Sequence, residues 1–212
     1  MGSMIAFTEG LRDDQWRTLR DVAARGATNA AAGLSEMVGR NIRIQTPDLR
    51  LVRLGEVSGL LGRPEDEVVG VYLSIGGDVR GHILLMLSPR EALGLVDMVL
   101  TQDGGSTAAL GTMERSALGE IGNLTGTFFL NALAEVTRMN IQPSPPAVMI
   151  DMGAAVLDVP LAALANTADE ALVIKTFFLD DQRRIEAAFL VMPDMPSLQA
   201  ILEVLEKRWR IR

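Results

Sequence analysis

Apolar residues recur at three- and four-residue intervals from about Asp13 to Val38, and again from about Thr112 to Thr137. That spacing lays a stripe along one side of a helix, so the pattern predicts two long helices. Shorter, alternating runs follow each of them. In the first half a strand, Asn41-Ile-Arg-Ile-Gln45, is expected to end at Pro47, and a short amphipathic piece follows over Leu54–Leu61. Two strand-like runs, Val68–Ser74 and Gly81–Leu87, are joined through Gly76-Gly-Asp78, a hairpin turn signal. Pro89 opens a helix with Leu93, Val96 and Leu100 on one face, and Gln102–Ser106 reads as a loop. The second half repeats this order. A strand near Met139 to Gln142 precedes prolines at 143, 145 and 146, and a short piece lies around Asp158 to Ala165. Strands at Ala171–Phe178 and Ile185–Met192 flank Asp180-Asp-Gln182, and a last helix spans about Pro196 to Arg208.

Landmarks in the two halves keep step. Ile141 stands 99 positions after Ile42, and Pro146 stands 99 after Pro47; on that register Glu120 faces Asp21 and Asn123 faces Ala24. Further on the offset reads 105, pairing Leu85 with Leu190, Leu93 with Leu198 and Leu100 with Leu205, with six extra residues assigned to a loop insertion. The expectation is one domain over residues 1–212, built from two repeats at about 10–101 and 109–208. Its class is α+β with pseudo-two-fold symmetry. Both halves share a mostly antiparallel sheet, and the long helices pack on one face.

Composition removes several kinds of chemistry. The chain has 212 residues and no cysteine, so disulfides, thiolate zinc sites and thiol nucleophiles are excluded. A net charge of -7 disfavours nucleic acid and anionic membranes as partners. No apolar run approaches the roughly 20 residues of a membrane helix. Met1-Gly-Ser3 before a second methionine reads as a cloning remnant, and with no basic, apolar leader the expected location is cytoplasmic. The single histidine, His82, lies in an apolar strand-like run and suits a structural role. Neither a His-Glu-x-x-His nor a Gly-Lys-Ser/Thr motif is present, and no metal site of the chain's own is expected.

Candidate chemistry concentrates in Ser116-Ala-Leu-Gly-Glu120-Ile-Gly-Asn123. Residues three and four apart are neighbours on a helix, so Ser116, Glu120 and Asn123 share a strip, with Thr127 a turn beyond. Met113, Ala117, Leu118, Ile121, Leu124, Phe128, Leu130 and Leu133 read as packing positions. A solvated helix face would account for Glu120. Asparagine is a poor choice for such a face, because its side chain competes with the backbone. A carboxylate beside a neutral amide can grip a basic partner and orient a water molecule.

The spacing resembles the signature of the CheC/CheX/FliY family of chemotaxis phosphatases: Ser or Asp, three residues, Glu, two residues, Asn, 22 residues, Pro. Ser116, Glu120, Asn123 and Pro146 fit it, and Asp21–Ser35 resembles the family's first signature helix. A duplicated architecture is also a trait of the family. The first copy departs from the signature: Arg17 replaces Ser or Asp, Asp21 replaces Glu, Ala24 replaces Asn, and only Pro47 survives. The resemblance implies a CheC-like fold and an active site in the second half alone, hydrolysing the aspartyl phosphate of a CheY-type response regulator. It implies Asn123 as the water-orienting group and Glu120 as an anchor. Ser116 would sit at the rim and Pro146 would supply shape. The partner would bring its own Mg²⁺, and the chain would hold no cofactor. Alternatives are a non-catalytic adaptor for a regulator or a CheD-type deamidase, and a flagellar-switch component. That last branch carries a further C-terminal domain, so a chain ending at Arg212 makes it the less expected. A small-molecule sensor is disfavoured by the scarcity of convergent polar groups.

Overall fold

The computed structural model describes residues 11–57, 59, 63–100, 105–164 and 170–209. In chain order these form α1 (Asp13–Val38), β1 (Arg43–Arg53), α2 (Leu54–Val57), β2 (Glu67–Gly77), β3 (Gly81–Leu87) and α3 (Pro89–Val99). Then come α4 (Thr112–Thr137), β4 (Ile141–Pro143), β5 (Ala147–Met152), α5 (Gly153–Leu164), β6 (Glu170–Leu179), β7 (Arg184–Pro193) and α6 (Met195–Trp209). Residues 1–10, the end of the Leu54–Leu61 piece, most of the Gln102–Ser106 loop, and Ala165 lie outside the described residues.

The long helices begin and end for local reasons. At the start of α1 the Gln15 side chain accepts the Arg12 N–H at 2.9 Å, and Asp13 and Asp14 complement the helix dipole. The helix stops at Gly39, whose φ of 67° is the left-handed cap that glycine adopts freely. Its counterpart after α4, 99 positions on, is Arg138 with φ 63°. A side chain there works against backbone sterics. Arg138→Gly is therefore expected to stabilise the fold by about 0.5–1 kcal/mol. The check is a higher urea midpoint with an unchanged slope; a lower midpoint would show that the exposed arginine side chain contributes more than its backbone costs.

The sheet runs β1-β6-β7-β3-β2-β4, with β5 also on β2, and every pairing is antiparallel. Its central pair, β3 and β7, takes one strand from each half. The outer strands cross over: β1 pairs with β6, while β4 and β5 pair with β2. The pseudo-two-fold architecture is thus one in which neither half completes its own sheet. On one face α1, α3, α4 and α6 pack over a core that includes Leu34, Leu73, Ile83, Leu118, Phe129 and Phe189. Val57 of α2 and Val156 and Leu157 of α5 cover the opposite face over Leu84, Met86 and Leu190.

Both marker prolines occupy a shift in strand register, which corrects the expectation that they end strands. β1 continues through Pro47 to Arg53, and its pairing slips between Gln45 and Asp48. In the second half Ile75 faces Pro143, yet Tyr72, three residues back, faces Ala147, so one residue is again extra. Pro146 leads into β5, a strand the sequence reading missed. A bulge leaves a residue out of the ladder, so a proline there forfeits no hydrogen bond.

The offset of 105 is also corrected. Leu85 faces the long helices, whereas Leu190 faces α2 and α5, so the two are not equivalent. Matching burial and pairing gives offsets of 103 for β2 and β6, as Val69 with Leu172, and 104 for β3 and β7, as Leu85 with Phe189. The caps set 106 for the last helices. Ser88 Oγ accepts the Glu91 N–H and Asp194 Oδ1 accepts the Ser197 N–H, so Leu95 and Val99 match Ile201 and Leu205. Of the face expected on α3, Val96 is fully buried and Leu100 packs partly buried against the core, whereas Leu93 is only partly buried. Most of the drift arises where α5, with 12 residues, replaces α2, with 4.

Candidate functional site

Glycine determines how α4 sits. Gly119, Gly122 and Gly126 recur at helical spacing and are buried against the sheet. A Cβ on Gly126 would lie 3.5 Å from Leu73, and one on Gly122 would lie 2.8 Å from the Cβ of Val71. At Gly119 the nearest atoms are Val148 at 3.6 Å and the Pro146 ring at 3.7 Å. At these three positions the helix backbone therefore approaches β2 and β5 directly, with no side chain of its own between. This face was absent from the packing positions read off the sequence, and the i, i+3, i+7 recurrence of glycine was the signal that would have found it. Met113, which was among those positions, is instead 58% exposed.

The strip lies roughly a quarter turn around α4 from that glycine face, at 100° per residue. Ser116 and Glu120 are exposed, and Asn123 and Thr127 are partly exposed. Asn123 is not folded into the interior. Among the described residues no hydrogen bond or ion pair engages the side chains of Ser116, Glu120 or Asn123. Pro146 reaches the same helix one residue before Glu120, through the space that Gly119 leaves open. The structure thus brings together the four residues that the spacing singled out. A carboxylate and an amide stand free on a helix whose position is set by close backbone packing. Among the described residues no cluster of His, Asp and Glu is arranged to hold a metal ion.

The equivalent surface of α1 carries different chemistry. Arg17, Asp21 and Ala24 are all exposed, as is Pro47. A shallow depression lies beside them, lined by Ala24, Arg25, Thr28, Asn29 and Glu135. His82 is remote from both strips in role: the Tyr72 hydroxyl is 2.7 Å from its Nδ1 across paired strands, and burial holds its pKa below the ordinary value despite nearby Asp194. None of the described helices is long and apolar enough to cross a membrane.

Residues 113–150 match the family model described as CheC-like, and that span contains Ser116, Glu120, Asn123 and Pro146. The chain resembles the CheC-like family. A CheY-P phosphatase CheC from Bacillus subtilis (strain 168) is 27% identical over 205 residues, covering 95% of this chain and 98% of the relative. Thermotoga maritima FliY superposes with a TM-score of 0.76 at 20% identity, over 93% of this chain and 98% of that one. The FliM middle domain from H. pylori superposes with a TM-score of 0.64 at 16% identity, over 92% of this chain and 99% of that one. The two superpositions establish that this chain shares their fold.

Proposed function

We propose that this CheC-like chain hydrolyses the aspartyl phosphate of a CheY-type response regulator, at one site on α4. The observation that carries the reading is the pair Glu120 and Asn123, both unengaged among the described residues and both on a helix seated by glycine on the sheet. The relative from Bacillus subtilis, named as a CheY-P phosphatase, supports it. Asn123 enters the regulator's acceptor pocket, and its carboxamide holds a water in line with phosphorus. An amide both donates and accepts hydrogen bonds and carries no charge to repel the phosphoryl group. Water attacks phosphorus, the bond to the aspartate oxygen breaks, and inorganic phosphate leaves. Phosphoryl transfer needs position and charge stabilisation more than covalent help. The charge stabilisation is the regulator's own, from its Mg²⁺ and a lysine. Glu120 pairs with a cation at the regulator's surface, in a contact that strengthens as water leaves the interface.

One site follows from the residue types on α1. Alanine at position 24 has no group to hold water, and Arg17 reverses the polarity of the rim. The double change Asp21→Glu with Ala24→Asn is expected to add a weak second activity, seen as turnover that survives Asn123→Ala. No gain would mean that α1 is not presented to the regulator. The test of the function itself is release of phosphate from a panel of phosphorylated regulators. Binding without turnover would favour the adaptor role, with a regulator or a CheD-type deamidase as ligand.

A further inference from the structure

Beside the strip lies a groove of about 410 Å³, formed where the ends of α1 and α3 meet the start of α4. Its apolar lining includes Val38, Val99, Leu100 and Ala117, and its two most exposed apolar side chains are Met37, at 45%, and Met113, at 58%. These are two of the four large apolar side chains that stand exposed among the described residues. Ser116 and Glu120 belong to the same lining. We propose that this groove is the docking site for an apolar side chain of the phosphorylated regulator, and that Met37 and Met113 determine how tightly the regulator binds. The proposal rests on the phosphatase reading of the strip.

Continuity assigns the occupant. A partner whose pocket receives Asn123 and whose cation meets Glu120 must also cover the groove, because Glu120 forms part of its wall. A second copy of this chain fits less well, since two chains each of net charge -7 repel one another. Methionine suits the purpose. Its unbranched thioether repacks against surfaces of different shape, so one groove can receive more than one regulator. Apolar anchors beside a charged contact also exclude water from it, which strengthens the Glu120 pairing.

The test compares Met37→Asp, Met113→Asp and Met113→Leu in the full chain, with Met152→Asp as a control at an exposed methionine on β5. Both groove aspartates are expected to raise KM for the phosphorylated regulator roughly tenfold with kcat unchanged. Met113→Leu is expected to stay near the parent, and Met152→Asp to change nothing. Unchanged KM in both groove variants, with turnover intact, would overturn the groove and leave the phosphatase reading standing. If the parent shows no turnover, the phosphatase reading fails separately, and binding to a beryllofluoride-loaded regulator decides the groove; equal binding by parent and Met113→Asp overturns it. A parent dimer that Met113→Asp converts to monomer, with KM unchanged, would assign the groove to a second copy and also overturn the proposal.

Discussion

Replacing Asn123 with alanine is expected to slow dephosphorylation by on the order of 10²-fold, towards the regulator's unaided decay, while regulator binding changes by less than about twofold. The factor corresponds to about 2.7 kcal/mol of transition-state stabilisation, a reasonable value for placing one water in line. Binding should survive because the side chain has no partner among the described residues whose loss would disturb α4. The neighbouring Glu120→Ala is expected to act differently, raising KM as well as lowering turnover, because the role proposed for it is attachment. Single-turnover kinetics at saturating and at limiting regulator separate the two effects. Asn123→Gln gives a finer test. Its amide sits one methylene farther out, so most of the rate should be lost although the functional group is kept. If Asn123→Ala turned over at the parent rate, the water-positioning role would be wrong whatever else binds.

Gly26→Val is expected to destabilise the protein by about 2–3 kcal/mol. Gly26 is the point at which α1 meets the backbone of α4. A Cβ there would lie 2.8 Å from the Cα of Phe129 and 3.2 Å from its nitrogen, atoms that cannot rotate aside. The helices would have to separate, loosening the packing beneath them, where Phe129 meets Phe189 edge to face with ring centroids 5.5 Å apart. For a chain of this size the loss should appear as a fall in Tm of roughly 5–10 °C. Gly33→Ala provides the contrast. Its Cβ would crowd the far end of the Phe128 ring, at 2.9 Å, and a ring can tilt; Leu124 at 3.8 Å is an ordinary contact. A cost below about 1 kcal/mol is expected there. Because α4 keeps its glycine seat on β2, Gly26→Val molecules that remain folded should still turn over regulator. Equal stability losses at Gly26 and Gly33 would show that helix contact does not control the fold in this way.

Much of the architecture was legible because α1 and α4 have the same length and their strands follow at the same distance. The 99-residue register therefore holds from Ile42 and Ile141 through the two bulge prolines. It fails afterwards for a physical reason. A strand alternates faces every residue, so an error of one position moves a side chain to the opposite side of the sheet, and only the partner strand reveals it. Leu85 and Leu190 look alike in sequence and lie on opposite faces. β5 was missed because Ser144-Pro145-Pro146 reads as a stop, whereas in the structure it is a bulge between two strands on β2. At the site, the spacing of Ser116, Glu120, Asn123 and Pro146 was visible. What seats them was not, because glycine on a helix reads as weakness until a neighbouring strand shows that it permits close approach. Met113 was misplaced for a related reason. An apolar residue at helical spacing looks like core, and only tertiary contacts reveal that the groove beside it is open.

The central claim is that a carboxamide on α4 performs its chemistry inside another protein. The most direct measurement is the decay of a phosphorylated CheY-type regulator in the presence of a substoichiometric amount of this protein. The account predicts multiple turnovers and a decay accelerated on the order of 10²-fold at saturation. A decay rate unchanged by the protein, across every phosphorylated regulator of the same cell, would contradict it.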